Sequence, residues 1–212
     1  MAISETSICN AALGKIGAGR ITNYEDTSES SEEAINCRLH YEMTRDALLR
    51  SHFWRFAADR AELSEDTDSP DFEFDNQFIL PNDFFHLRSI YDDNRSPGNK
   101  THRTFAIEGQ RILTNESTCQ IRYTKKVTDP AEFDPLFVEV LVLLLARKLV
   151  GPLAGGDPKL KAEIKDDLKM LMPSVRALDR QETETIGRAD MNTWIDVRQT
   201  RGGRIDSRLG SA

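Results

Sequence analysis

The sequence predicts an α+β protein: an antiparallel helical bundle with an inserted small antiparallel β subdomain and an extended C-terminal arm. Three observations predict it. Between Leu136 and Val150 the chain is apolar except at Glu139, Arg147 and Lys148, and a helix apolar on nearly every side has to be surrounded by protein. Capped segments with helical spacing of apolar residues lie on both sides of that run. Between Gln77 and Lys125, short segments of strand character are separated by polar turn residues, the pattern of strands joined by hairpins. The division that follows is 1–62 as the first helical part, 63–128 as the β insertion, 129–187 as the second helical part and 188–212 as the arm.

In chain order, Ile8, Cys9, Ala12, Leu13 and Ile16 share one side of a helix over 4–16 that Gly17 ends. Ser30-Ser-Glu-Glu33 reads as a capping box. It opens a second helix with Ala34, Cys37, Tyr41 and Leu48 at helical spacing and Arg38, Glu42 and Arg45 between them. The aromatic residues Phe53, Trp54 and Phe56 are expected to close one end of the core, because large rings dominate burial. From Leu63 to Asp75 the chain is acidic and turn-rich, an entry loop into the insertion. Its acids are spaced loosely like a calcium loop, but the glycine such a loop needs is missing and Pro70 interrupts it.

Strands are expected over 77–80, 84–91, 104–108, 111–114 and 119–125, with hairpin turns at Glu108-Gly109-Gln110 and Asn115-Glu116-Ser117. Cys119, Ile121 and Tyr123 alternate with Gln120, Arg122 and Thr124, which marks a half-buried antiparallel strand. Asp134 caps the apolar helix with Pro135 at its first position, Asp129-Pro130 repeats the device one turn earlier with Glu132 placed as in a capping box, and Gly151-Pro152 is expected to stop the helix. This helix is either the centre of the bundle or part of a subunit interface. Asp157-Pro158 opens a fourth helix in which Leu160, Ile164, Leu168, Leu171, Val175 and Leu178 form a heptad-like seam, with a kink expected at Pro173.

The net charge of −7 argues against a protein that coats nucleic acid, which needs cations to neutralise phosphates. The charge is uneven: five arginines against three aspartates give the last 25 residues +2, leaving −9 on the first 187. An acidic body with a basic, tryptophan-containing arm predicts an arm that contacts another protein, through Arg188, Trp194, Arg198, Arg201, Arg204 and Arg208. The apolar run is too short and too charged for a membrane span, which needs about 20 residues. Ser4, Glu5 and Thr6 come too early for a secretory leader, so the protein is not expected to be secreted. Cys9, Cys37 and Cys119 are odd in number and form no C-x-x-C pair, so buried free thiols are expected rather than disulfides or zinc.

No G-x-S-x-G, H-E-x-x-H or phosphate-loop motif appears, and His40, His52, His86 and His102 sit in four different contexts. Glu132 and Glu139 are the carboxylates a glycosidase reading would use, although a chain with 35 acidic residues offers such pairs by chance. Asn94 and Asn115 begin glycosylation-type triplets but read as turn asparagines. Arg201-Gly-Gly-Arg204 is one copy of a nucleic-acid-binding type of segment. No catalytic residue, cofactor or metal site is expected.

Four blocks together resemble the tail tubular protein A, or head-to-tail adaptor, family of short-tailed bacteriophages. They are the opening SICNAALGKIGAGRITNYEDTSESSEEAINCRLHYEMTRDALLRSHFWRFAADRAEL, the segment FILPNDFFHLRSI, the hairpin FAIEGQRILTN, and IRYTKKVTDPAEFDPLFVEVLVLLLARKLVGPLAGG. The resemblance spans residues 4–186 in order and spacing. It implies a structural virion protein rather than an enzyme: a ring, typically a dodecamer, at the head–tail junction that joins the portal to the tail nozzle (tail tubular protein B) and forms part of the DNA conduit without gripping DNA or touching a membrane. It places the arm, with the six residues named above, on the portal. The alternatives are a tail-associated peptidoglycan hydrolase using Glu132 or Glu139, and a DNA-binding module using the arginine-rich arm.

Overall fold

The computed structural model describes residues 3–91 and 105–181, with side chains through Leu178. Met1–Arg176 form one compact unit, and a second begins inside the last helix at Ala177. The protein is mixed α/β, with four α-helices and two three-stranded antiparallel sheets among the described residues.

Helix α1 (Glu5–Ile16) begins where the Ser4 and Ser7 side chains satisfy each other's backbone N–H groups. It ends at Gly17, whose φ of 71° is a left-handed conformation that glycine adopts without a Cβ clash. The five residues expected to face inward are the five it buries. Helix α2 (Glu32–Ser51) is capped by Ser31, which accepts from the Ala34 N–H at 3.3 Å. The expected box from Ser30 to Glu33 is therefore displaced by one residue, and the position three beyond the cap is an alanine with no side chain to reciprocate. Arg45, placed by the pattern between the apolar positions, is buried instead, paired with Asp46 at 2.9 Å and set over the Tyr41 ring.

Helix α3 (Pro135–Leu153) starts as expected, with the Asp134 carboxylate accepting from the Leu136 and Phe137 N–H groups at 2.8 and 3.4 Å. Gly151-Pro152 does not stop it. Pro152 lies inside the last turn, and the chain turns only at Gly155 and Gly156, both at positive φ, with the Gly156 N–H bonded to the Val150 carbonyl. A proline this close to the end removes a single intrahelical bond. Both α1 and α2 pack on α3, and Phe137, Val140, Leu141, Leu145, Ala146 and Leu149 are wholly buried. Most of the apolar surface of α3 is covered within its own chain, with Leu136, Val138, Leu144 and Leu153 only partly buried.

Asp157 caps α4 (Pro158–Gln181) through the Lys159 N–H at 2.8 Å, and the helix runs through Pro173. Ile164, Leu168 and Val175 of the expected seam are buried, Leu160 and Leu171 pack against the same core in part, and Leu178 is exposed.

The strands are β1 (Ala58–Leu63), β2 (Asn76–Ile79), β3 (Phe84–Ile90), β4 (Phe105–Glu108), β5 (Arg111–Thr114) and β6 (Cys119–Lys125). They form two sheets, ordered β1-β6-β3 and β2-β5-β4, rather than one. Glu108 pairs with Arg111 across the two-residue turn Gly109-Gln110, as the hairpin reading requires. Asn115-Glu116-Ser117 is not a hairpin turn. It carries the chain from β5 in one sheet to β6 in the other. Strand β1 was not legible as a strand, because its sequence ADRAEL favours helix and only pairing along the whole of β6 makes it extended.

One apolar cluster gathers residues from all four helices and takes in Trp54 and Phe133. A smaller one is centred on Phe78, Ile112, Ile121 and Tyr123 of the strands. Arg88 of β3 connects the helical residues to the sheet: it donates to the Trp54 carbonyl and to Thr124 Oγ1, and its guanidinium lies 5.3 Å from the Phe53 ring centre. Phe53 itself is half-exposed and stacks on His86, so of the three expected end-closing aromatics only Trp54 is fully buried.

Candidate docking surfaces

Helix α2 buries one side and leaves a second apolar stripe outside. Ile35, Leu39 and Met43 follow one another at four-residue spacing, 50%, 60% and 72% exposed, on one helix face. Exposed apolar residues grouped on one face, unlike singly scattered ones, are the kind of surface that contacts use.

Met43 also borders a groove of about 830 Å³ formed by α2, α3 and α4, with Leu48, Leu144, Leu168 and Met172 contributing its apolar surface. Arg147, Lys148, Lys165, Lys169 and Arg176 line it as well, and no carboxylate does. Lys169 pairs with Asp166 of its own helix at 3.1 Å. Arg147 and Lys148 interrupt the apolar run of α3 where they face the groove, and both are exposed although Leu145, Ala146, Leu149 and Val150 around them are buried. In a chain of net charge −7 this is a local concentration of positive charge.

The β1–β2 connection carries the opposite character. Phe72 is 80% exposed among Asp68, Asp71 and Glu73. The segment is held by its own bonds: Asp66 pairs with Arg111, Gln77 Nε2 donates to the Asp68 carbonyl at 2.7 Å, and the Asp75 N–H donates to Asn115 Oδ1 at 3.0 Å. The Arg111 guanidinium beside Asp66 holds its carboxyl below the usual aspartate range. Glu73 sits at φ 70°, a left-handed conformation that is costly for a residue with a Cβ. Asn115 thus serves as a loop clasp, in line with its reading as a turn asparagine.

Glu132 and Glu139 do not converge. Glu132 is exposed in a short 3₁₀ turn and pairs with Lys125 at 3.3 Å rather than completing a capping box. Glu139 lines a shallow cavity of about 440 Å³ with Lys15, Asp167 and Ser174, to which Glu132 does not contribute. His40 borders the cationic groove, His52 lies edge-on to Trp54, and His86 on Phe53 has its pKa lowered by burial and by Arg50 and Arg88. Cys9, Cys37 and Cys119 are free and buried; contact with the Cys37 thiol, and then burial, pushes the Cys9 thiol up, so it stays protonated. Burial, and next the hydrogen bond to Asp83, raises the Tyr123 phenol to about 12. The Tyr41 hydroxyl is buried with no hydrogen-bond partner among the described residues. Among those residues no group of three or more His, Cys, Asp or Glu side chains is placed to hold a metal, and no helix is long and apolar enough to cross a membrane.

Arg188, Trp194, Arg198, Arg201, Arg204 and Arg208, the expected portal-contacting residues, lie outside the described residues, as do His102 and Asn94. The groove and the α2 stripe were missed in the sequence. Their signal was present in the paired cations that break the α3 run and in the apolar triplet that shares α2 with a second, buried face. A scan against protein-family models and a search of curated proteins each found no match to the chain.

Proposed function

We propose that this chain is a structural virion protein, a head-to-tail adaptor whose copies form a ring, a dodecamer by family resemblance, between portal and tail nozzle. In this reading 1–62 and 129–187 are the two parts of an antiparallel helical bundle, 63–128 is the inserted β part, and 188–212 is an arm that reaches the portal through Arg188, Trp194, Arg198, Arg201, Arg204 and Arg208. DNA passes through the ring without specific contacts, favoured by the acidic body.

One observation carries the reading beyond sequence resemblance. With its helical core filled, the chain still leaves apolar side chains outside on unrelated elements: Ile35, Leu39 and Met43 on α2, Phe72 in the β1–β2 connection, and Ile79, Phe105 and Ile107 on the β2-β5-β4 sheet. Separate patches on one protomer are what a head-to-tail ring needs, because each interface joins two different surfaces. Of the resembling blocks, FAIEGQRILTN forms the β4–β5 hairpin, and the DPLF portion of the last block forms the capped start of α3.

The test is to mix the purified full chain with portal rings and image by negative stain. A ring of added density capping the portal is the expected result. Bare portals at saturating protein would overturn the proposal.

A further inference from the structure

We infer that the cationic groove between α2, α3 and α4 receives the Phe72 loop of a second copy of this chain, so that copies join head to tail. The inference rests on the ring reading above and gives that ring its contact.

The groove and the loop complement each other in both respects that matter for docking. The groove has an apolar floor that includes Leu144, Leu168 and Met172, and a rim of five cations with no carboxylate between them. Methionine and leucine surfaces adapt to an inserted aromatic ring. The loop offers one ring, Phe72, 80% exposed, flanked by Asp68, Asp71 and Glu73. Among the described residues no Phe, Tyr or Trp lines the groove to stack on a nucleic-acid base, whereas an acidic loop with one protruding ring matches both the cationic rim and the aliphatic floor.

The loop is also prepared for the role. Its bonds to Gln77, Arg111 and Asn115 fix the backbone on both sides of Phe72 before any contact forms, which lowers the ordering cost of association. The left-handed Glu73 directly after Phe72 is a strained conformation retained next to the one large side chain the loop exposes. Groove and loop share no residue, so neither is used up by a contact with its own twin. The association is therefore open-ended and becomes a ring when the rotation closes.

The test uses the full chain carrying Met43→Cys and Ser69→Cys, one at the groove edge and one in the loop, under mild oxidation with and without portal rings. A disulfide-linked ladder extending past the dimer is expected, because each copy has one cysteine of each kind. Either single variant stops at the dimer. Adding Lys165→Glu and Lys169→Glu lowers the ladder by about tenfold, and adding Asp68→Lys and Asp71→Lys to that same chain restores it. Rings on the portal with no ladder overturn this contact and leave the adaptor reading standing. A ladder without rings supports the contact and removes the adaptor. A ladder insensitive to the charge reversals, with portal capture lost, assigns the groove to the portal and overturns the proposal.

Discussion

The helical and sheet parts of this protein are built to different standards of burial. Around α3, side chains from four helices close into one core, and Phe137 is surrounded by Trp54, Phe56 and Phe133, each with its ring centre 5.0 Å away. The strands share a core of few residues. Every residue of β3 is at least partly exposed, and β4 has none buried. The helices hold most of the fold while also displaying the α2 stripe and the groove; the sheets and the loop between them are mostly displayed surface around a small core. Stability and contact are thus largely assigned to different residues, and changes in one region should leave the other readable.

The largest test of that contrast is Phe137→Ala. Loss of a ring from the filled core should cost about 3–5 kcal/mol, seen as a lower midpoint in urea unfolding of the whole chain. Phe78→Ala empties the sheet core, where Phe78 is 2% exposed. It should cost nearer the lower end of that range, about 3 kcal/mol, with amide exchange accelerated in β1–β6 and little changed in α1 and α3. Faster exchange throughout the helices would show that the two regions open together and break the distinction. Removal of the α3 cap by Asp134→Ala should cost about 1 kcal/mol, again at the urea midpoint. The smallest effect is a pH dependence at the junction. The folded protein holds the His86 pKa below its ordinary 6.5, so the unfolded chain binds the proton more readily. The stability from neutral His86 is present above pH 6.5 and declines as pH falls through the depressed folded pKa. His86→Gln should flatten that part of a pH–stability profile.

How far the sequence could be read follows the same line. The start of α3 was legible because Asp134-Pro135 is a local device, and the inward face of α1 because five apolar residues repeat at helical spacing. Strand β1 was not legible, since its extended form depends on β6, some sixty positions away by register. The two-sheet arrangement was hidden for the same reason: nothing local to Asn115-Glu116-Ser117 says that β5 and β6 part company. Arg45 was hidden for another reason: its partners Asp46 and Tyr41 stand on its own helix α2, but an apolar periodicity reading assigns an arginine to the solvent side. The groove required three helices to be placed before its cations became neighbours. The arm, on which the sequence put its portal contacts, lies outside the described residues.

Arg88 gives the molecule a defined path for mechanical load. Its guanidinium joins the Trp54 carbonyl to Thr124 on β6, while the Trp54 indole N–H is itself bonded to the Leu48 carbonyl in the last turns of α2. Tension applied to the edge of the β1-β6-β3 sheet therefore reaches the end of α2 through side chains as well as along the backbone. In a single-molecule pulling experiment, cutting this strut with Arg88→Ala should let the strands detach at lower force while the helices still resist.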